Sequence, residues 1–216
     1  MSVPTADQAP SKTAVVLIDP YNDFLHPEGK LYGAVKESLL ATNTVEHLKE
    51  LVAAARSAHI PIYYALHQTW DRSTFNGWKH QSPSAAKRVG GFEAGTWGVE
   101  ILEGLEADVA GNGDVIVSKH WNSSGFANTD LDYQLRQREI THLVLAGMAA
   151  NTCLESTARY ARELGYHVTL LSDATAGFST KAKDAATDLV WPLIAERVTT
   201  VGQWASSLDR PVPSKV

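Results

Sequence analysis

Three residues of this 216-residue chain pair a reactive side chain with a position close behind a short apolar run: Asp19, Lys119 and Cys153. An aspartate can take and return a proton, a lysine can keep that carboxyl ionised and steady an anion, and a thiol can attack an electrophilic carbon. Taken singly, each has a plain structural reading: a turn cap, a solvated charge and a buried small group. The setting of Cys153 shifts the balance. Thr152-Cys153-Leu154-Glu155 has the capping-box pattern, which predicts Thr152 as the N-cap and Cys153 as the first helical residue. Leu154, Ala158 and Ala161 then line one face of that helix, and Gly165 stands just past its end. A thiol at a helix N-terminus is held below its reference pKa of about 8.5 by the dipole and the free N–H groups, and those groups also suit a developing oxyanion. For the proton acceptor the residues leave two options open. Histidine is the conventional partner, with His67 and His120 near strand ends, and Asp19 supported by Lys119 is the carboxylate alternative.

These residues need a scaffold, and the chain supplies one. Apolar runs at 14–18, 60–66, 115–118, 143–146, 168–171 and 197–201 are continuous rather than alternating, which predicts strands buried on both faces of a parallel sheet. Helical stretches at about 37–58, 98–106, 131–138, 153–164 and 181–195 separate them, with Pro192 breaking or kinking the last. Alternating strands and crossover helices build a doubly wound α/β sandwich. Ligands bind such sheets beyond the carboxyl ends of the strands, where Asp19, Lys119 and Asn151-Thr152-Cys153 stand. The segment 67–96 has no clear period but holds Trp70, Phe75, Trp78, His80 and Phe92, so it reads as a lid, a binding loop or an oligomer contact. One domain is expected over 13–208, with a disordered leader at 1–12 and a tail at 209–216.

Composition bounds the partners. With 19 Lys+Arg against 24 Asp+Glu the net charge is −5 and the pI about 5.9, which disfavours a phosphate-backbone binder. A hydrophobic content of 44% is globular, and one cysteine makes no internal disulfide. No apolar run approaches the roughly 20 residues that span a bilayer, and the first residues show no secretory h-region, so the expected location is the cytoplasm, with no membrane and no nucleic-acid partner.

The stretch Asp19-Pro20-Tyr21-Asn22-Asp23-Phe24 resembles the Asp-x-x-Asn-Asp-Phe signature of the isochorismatase-like cysteine hydrolases. Lys119 stands ahead of Ser124-Gly125-Phe126 and Thr129-Asp130-Leu131 as the family lysine does, and Leu145 to Cys153 is similar to the family's nucleophile segment. The resemblance covers most of 13–201. It implies a three-layer α/β/α sandwich with a six-stranded parallel sheet in the order 3-2-1-4-5-6. It also implies a triad in which Asp19 is the general base, Lys119 its charged partner and Cys153 the nucleophile. A cis peptide at Met148–Ala149 and an oxyanion hole from the Ala149 and Cys153 N–H groups belong to the same implication. In that order the third strand lies about 9.6 Å from the first at roughly 4.8 Å per step, so Lys119 must reach across. Some family members, the nicotinamidases, hold a metal through Asp-x-His and a further His. This chain offers His67, Asp71 and His80 but no Asp-x-His, so neither a metal nor another cofactor is expected.

The expected activity is hydrolysis of a small amide, ureide or related C–N bond through a thioester on Cys153. The alternatives are a vinyl-ether hydrolase of the isochorismatase type, which needs no thiol, and a catalytically idle metabolite-binding domain. Candidates for the substrate wall are Phe24, His67, Gln68 and Trp78, with His80, Trp121 and Asn122. Leu25, Trp70 and Phe178 are further aromatic or apolar neighbours. Such a wall suits a flat, compact substrate. The resemblance also implies a homo-oligomer, a dimer or tetramer, to which exposed aromatics at 70–97 could contribute.

Overall fold

Every residue of Thr13–Ile18 is buried, and this run forms strand β1 at the centre of a six-stranded sheet. The computed structural model describes residues 10–80 and 90–208. Most of the expected leader, all of the expected tail and the middle of the 67–96 segment lie outside the described residues. Strands β2 (Ile62–Ala65), β3 (Val115–Ile116), β4 (His142–Met148), β5 (His167–Ala176) and β6 (Arg197–Thr199) complete the sheet. All pairs are parallel and the order is 3-2-1-4-5-6. No helix among the described residues is long and apolar enough to cross a membrane.

The helices are α1 (Asn22–Leu25), α2 (Tyr32–Ala41), α3 (Thr44–Ser57), α4 (Leu131–Gln137), α5 (Glu155–Glu163), α6 (Thr180–Ala185), α7 (Trp191–Ile194) and α8 (Val201–Leu208). β1 shows why a doubly covered strand must be apolar throughout. Val15 and Leu17 enter a core closed by α2, α3 and α8, while Ala14, Val16 and Ile18 enter a second core closed by α4, α5 and Trp191. On α3, Leu48, Leu51, Val52 and Ala55 recur at helical spacing and are all buried. Each buried leucine there contributes about 1.5–3 kcal/mol of transfer free energy.

Four expectations are corrected by side-chain and backbone chemistry that periodicity does not report. The helix expected over 37–58 is two helices. Asn43 between them takes a left-handed backbone (φ 48°), and the Thr42 and Thr44 hydroxyls donate to the Thr175 carbonyl on β5, which anchors a corner there. The helix expected over 98–106 is a single 3-10 turn, Trp97–Val99, followed by extended chain. The backbone at 100–102 pairs instead with residues 20–22, through Asn22 N–H to Glu100 and Leu102 N–H to Pro20. Residues 181–195 do not form one helix: α6 opens into a π turn, Ala186–Val190, just before Pro192, which lacks the N–H that a regular turn would use. Finally, α1 and α8 lie outside the expected helices.

Gly147, near the end of β4, lies close against the end of β1. Its φ is 112°, and a Cβ there would sit 2.1 Å from the Ile18 carbonyl oxygen. That oxygen immediately precedes Asp19, so neither strand can yield without moving the end of β1. Gly147→Ala is expected to destabilise the fold by more than about 3 kcal/mol, combining backbone strain with overpacking. Thermal denaturation of the variant checks this, and an unchanged midpoint would count against so tight an approach.

Candidate active site

Asp19 is delivered by the last step of β1. Its N–H still pairs with the Ala65 carbonyl at 3.1 Å, but its φ is 51°, so the chain leaves the sheet sharply and Tyr21 N–H closes on the Asp19 carbonyl at 2.7 Å. Aspartate tolerates this left-handed backbone better than most residues. The carboxyl is fully buried. Oδ1 accepts the His67 N–H at 2.6 Å and lies 3.2 Å from His120 Nε2, whereas Oδ2 has no hydrogen-bond partner among the described residues. A buried carboxylate oxygen without a donor is costly, so such a group is worth explaining by function. Beside it, burial and the neighbouring Asp19 charge push the Tyr21 phenol well above its ordinary range, and the Tyr21 hydroxyl donates to the His67 carbonyl at 2.8 Å.

Cys153 enters from the end of β4, next to β1 in the sheet. The Met148–Ala149 peptide is cis. The helix does not start where a capping box would start it. It begins as a π turn, Ala150–Leu154, and α5 follows directly. Leu154 and Thr152 N–H groups both reach back to the Ala149 carbonyl, at 3.3 and 3.0 Å. Thr152 is therefore inside the turn with its hydroxyl donating to Ala149, and Glu155 pairs with Arg159, so neither side chain is available to cap the other. Cys153 is consequently the fourth residue of the first, widened turn, half-buried, with its Sγ 3.9 Å from the Asn122 carbonyl oxygen.

The third strand reaches this site by a pairing that resumes after β3 ends. His67 and His120 form a parallel bridge, with His120 N–H on Leu66 and Gln68 N–H on the His120 carbonyl. This places His120, fully buried, over Asp19. Lys119 is half-buried beside it, and burial lowers its pKa from the usual 10.5. Among the described residues no carboxylate lies within ion-pair distance of its amine.

The second half of the opening motif shapes the surroundings rather than the chemistry. Asp23 is buried and its carboxylate accepts the Phe92 and Lys30 N–H groups at 2.6 and 3.1 Å. Phe92, which was not among the wall candidates, is thereby fixed as a hub. It stacks on His67 at 5.0 Å, and Phe24 and Tyr21 pack on it at 5.2 and 5.4 Å. Trp70 pairs with Glu93 across the same region and donates its indole N–H to the Gly91 carbonyl. Trp78 and Trp121 meet at 5.4 Å, both about two-fifths exposed, at 44% and 42%. Gln68 is half-buried and Asn122 is exposed. His80 is exposed and makes none of these contacts among the described residues, and the Asp71 carboxylate is committed to a local turn with Ser73 and Thr74. Among the described residues no group of three His, Cys, Asp or Glu side chains could hold a metal ion.

The arrangement thus joins a buried carboxylate, a half-buried thiol and two histidines, with Phe92 stacked on one of them. Residues 13–202 match the family model described as the isochorismatase domain. The ureidoacrylate amidohydrolase RutB of Rhizobium rhizogenes is 30% identical over 95% of this chain and 87% of its own length. That of Agrobacterium fabrum is 33% identical over 77% of this chain and 76% of its own. Among solved structures, a cysteine hydrolase from Pseudomonas syringae superposes with a TM-score of 0.79 at 27% identity, over 97% of this chain and 99% of the other.

Proposed function

The chain belongs to the isochorismatase family and is a hydrolase of C–N bonds outside peptides, and from that premise we propose that it cleaves a small amide or ureide through a thioester on Cys153. The observation that carries the mechanism is the buried Asp19, whose Oδ2 has no hydrogen-bond partner among the described residues while the neighbouring strand end bears the thiol. An oxygen left without a donor is one that can receive a proton.

In this reading Asp19 takes the Cys153 proton and the sulfur attacks the substrate carbonyl or carbamoyl carbon. The Ala149 and Cys153 N–H groups receive the negative oxygen, a preorganised arrangement that needs no solvent rearrangement. Asp19 then returns the proton to the leaving nitrogen as the C–N bond breaks, and ammonia or an amine departs. Water, losing a proton to the same carboxylate, attacks the thioester and releases the acid and the free thiol. Lys119 is kept in this reading as a nearby positive charge on the third strand, while the contact with Asp19 is made by its neighbour His120. A wall drawn from Trp78, Trp121, Phe24, His67, Gln68 and Asn122 would suit a flat, compact substrate with a polar edge. The curated relatives named for ureidoacrylate make a short N-carbamoyl acid the first substrate to try.

The test is ammonia release from the purified protein with a panel of N-carbamoyl acids and primary amides. Turnover of any panel member that is lost after alkylation of Cys153 supports the reading. Turnover of a vinyl ether alone, insensitive to alkylation, replaces it with the family's other chemistry.

A pH dependence follows from Lys119. Since burial lowers its pKa from 10.5, its charge is lost on the alkaline side earlier than that of an exposed lysine. The alkaline limb of kcat/KM is therefore expected below that value. In Lys119→Arg, whose guanidinium stays charged, the limb should move upward. An identical limb in the two proteins would assign it to another group.

A further inference from the structure

The mechanism leaves unused a buried ionisable group that touches its base. His120 places Nε2 3.2 Å from Asp19 Oδ1 and Nδ1 3.1 Å from the Asn122 carbonyl oxygen. A backbone carbonyl only accepts, so Nδ1 carries a hydrogen. The Nε2 contact with a carboxylate oxygen then needs a second proton, carried either on the ring as imidazolium or on the carboxyl. In both forms the pair holds one proton more than a carboxylate beside a neutral imidazole. The Asn122 carbonyl that receives Nδ1 is also the acceptor facing the Cys153 thiol at 3.9 Å. One imidazole therefore touches the carboxylate at one end and the thiol's acceptor at the other, which are the two ends of the proton transfer that starts catalysis.

We propose that His120 is a positioning residue for the reaction: it clamps Asp19 Oδ1 and the Asn122 carbonyl in one frame, so that Asp19 Oδ2 is left to the Cys153 proton, with imidazolium charge beside both. The inference rests on the thiol-hydrolase reading above. The proton balance is simple. For the reaction the second proton must sit on the ring, since a carboxyl that already held it could not take another; the thiol proton then moves to Asp19 Oδ2 and from there to the leaving nitrogen, while His120 keeps its own. The frame has few other members. His67 faces the His120 ring at 5.1 Å, with its own Nδ1 turned 2.7 Å from the Gln68 carbonyl oxygen, and Lys119 is the chain neighbour. Tyr21 stands behind His67. A carboxylate beside the thiol with no cation near them would need higher pH to form the thiolate.

The experiment compares His120→Gln, which keeps an N–H donor without a titratable charge, and His120→Leu, which keeps neither, with Asp19→Asn as the reference. The readouts are the pH profile of Cys153 alkylation by iodoacetamide, and kcat and KM on the best substrate of the panel. Both His120 variants should shift the alkylation profile to higher pH. In His120→Leu kcat should fall about 100-fold with KM near wild type, and His120→Gln should recover much of that loss, as expected for geometry rather than binding. If His120→Leu does not fold, the His120→Gln profile alone decides. A wild-type profile in His120→Gln alongside a shifted one in Asp19→Asn overturns the role of His120 and leaves the thiol scheme intact. A shift in His120→Gln without one in Asp19→Asn also overturns it, since His120 would then act without the carboxylate. Wild-type profiles in all variants remove the scheme and the inference together.

Discussion

Cys153→Ala is expected to lose at least about 10⁴-fold in kcat while folding normally, because removing a covalent nucleophile leaves only binding and oxyanion stabilisation. The structural cost should be small. Cys153 is half-buried in the first turn of a helix whose packing rests on Leu154, Ala158 and Ala161, all fully buried, and alanine is a good helix former. A stability change within about 1 kcal/mol is therefore expected. Ammonia release and thermal denaturation, measured on the same preparation, separate the two effects. A variant with the wild-type melting midpoint and no turnover supports the thioester route. One with wild-type turnover ends it, and with it any role for the π turn in presenting a nucleophile.

Asp19→Asn should lower kcat by about 10³-fold, in the range found for removing a general acid–base. The substitution keeps the shape of the side chain and the Oδ1 acceptor for the His67 N–H, so the sharp turn after β1 can persist. What it cannot do is take a proton. Stability is a second readout. The undonated Oδ2 of the fully buried carboxylate is a cost that a neutral amide relieves, whereas the contact of Oδ1 with His120 is a gain that it weakens, so the two act against each other and the melting midpoint should move little beside the activity loss. Wild-type kcat in a folded Asp19→Asn would remove the catalytic assignment of Asp19.

Much of this molecule was legible in its sequence because burial leaves a local trace. A strand covered on both faces is apolar along its buried run, and residues 14–18 or 143–146 announce that in a handful of letters. The parallel sheet places the residues after such strands at one edge, so Asp19 and Cys153 could be nominated before any coordinates, with the neighbouring strand ends that join them. The helix ending at Gly165 was equally legible, since that glycine takes the positive φ of 90° that a helix end requires.

Tertiary structure decided what depends on residues far apart in the chain. Nothing local makes 100–102 extended; its backbone is claimed by the 20–22 turn, and helical periodicity cannot register a partner some 80 residues away. Phe92 becomes the hub of the site because Asp23, 69 residues earlier, holds its N–H. The start of the nucleophile helix moved for a similar reason: the Ala149 carbonyl gathers the first turn, and a capping box is only a statement about side chains that are free to cap. Most of all, His120 over Lys119 as the side chain in contact with Asp19 follows from the parallel bridge between residues 67 and 120, which turns one face of that extended segment inward. The sequence therefore determined which residues are chemically able and which end of the sheet bears them. Strand register and long-range backbone pairing, which leave no periodic signal in the chain, determined which of them touch.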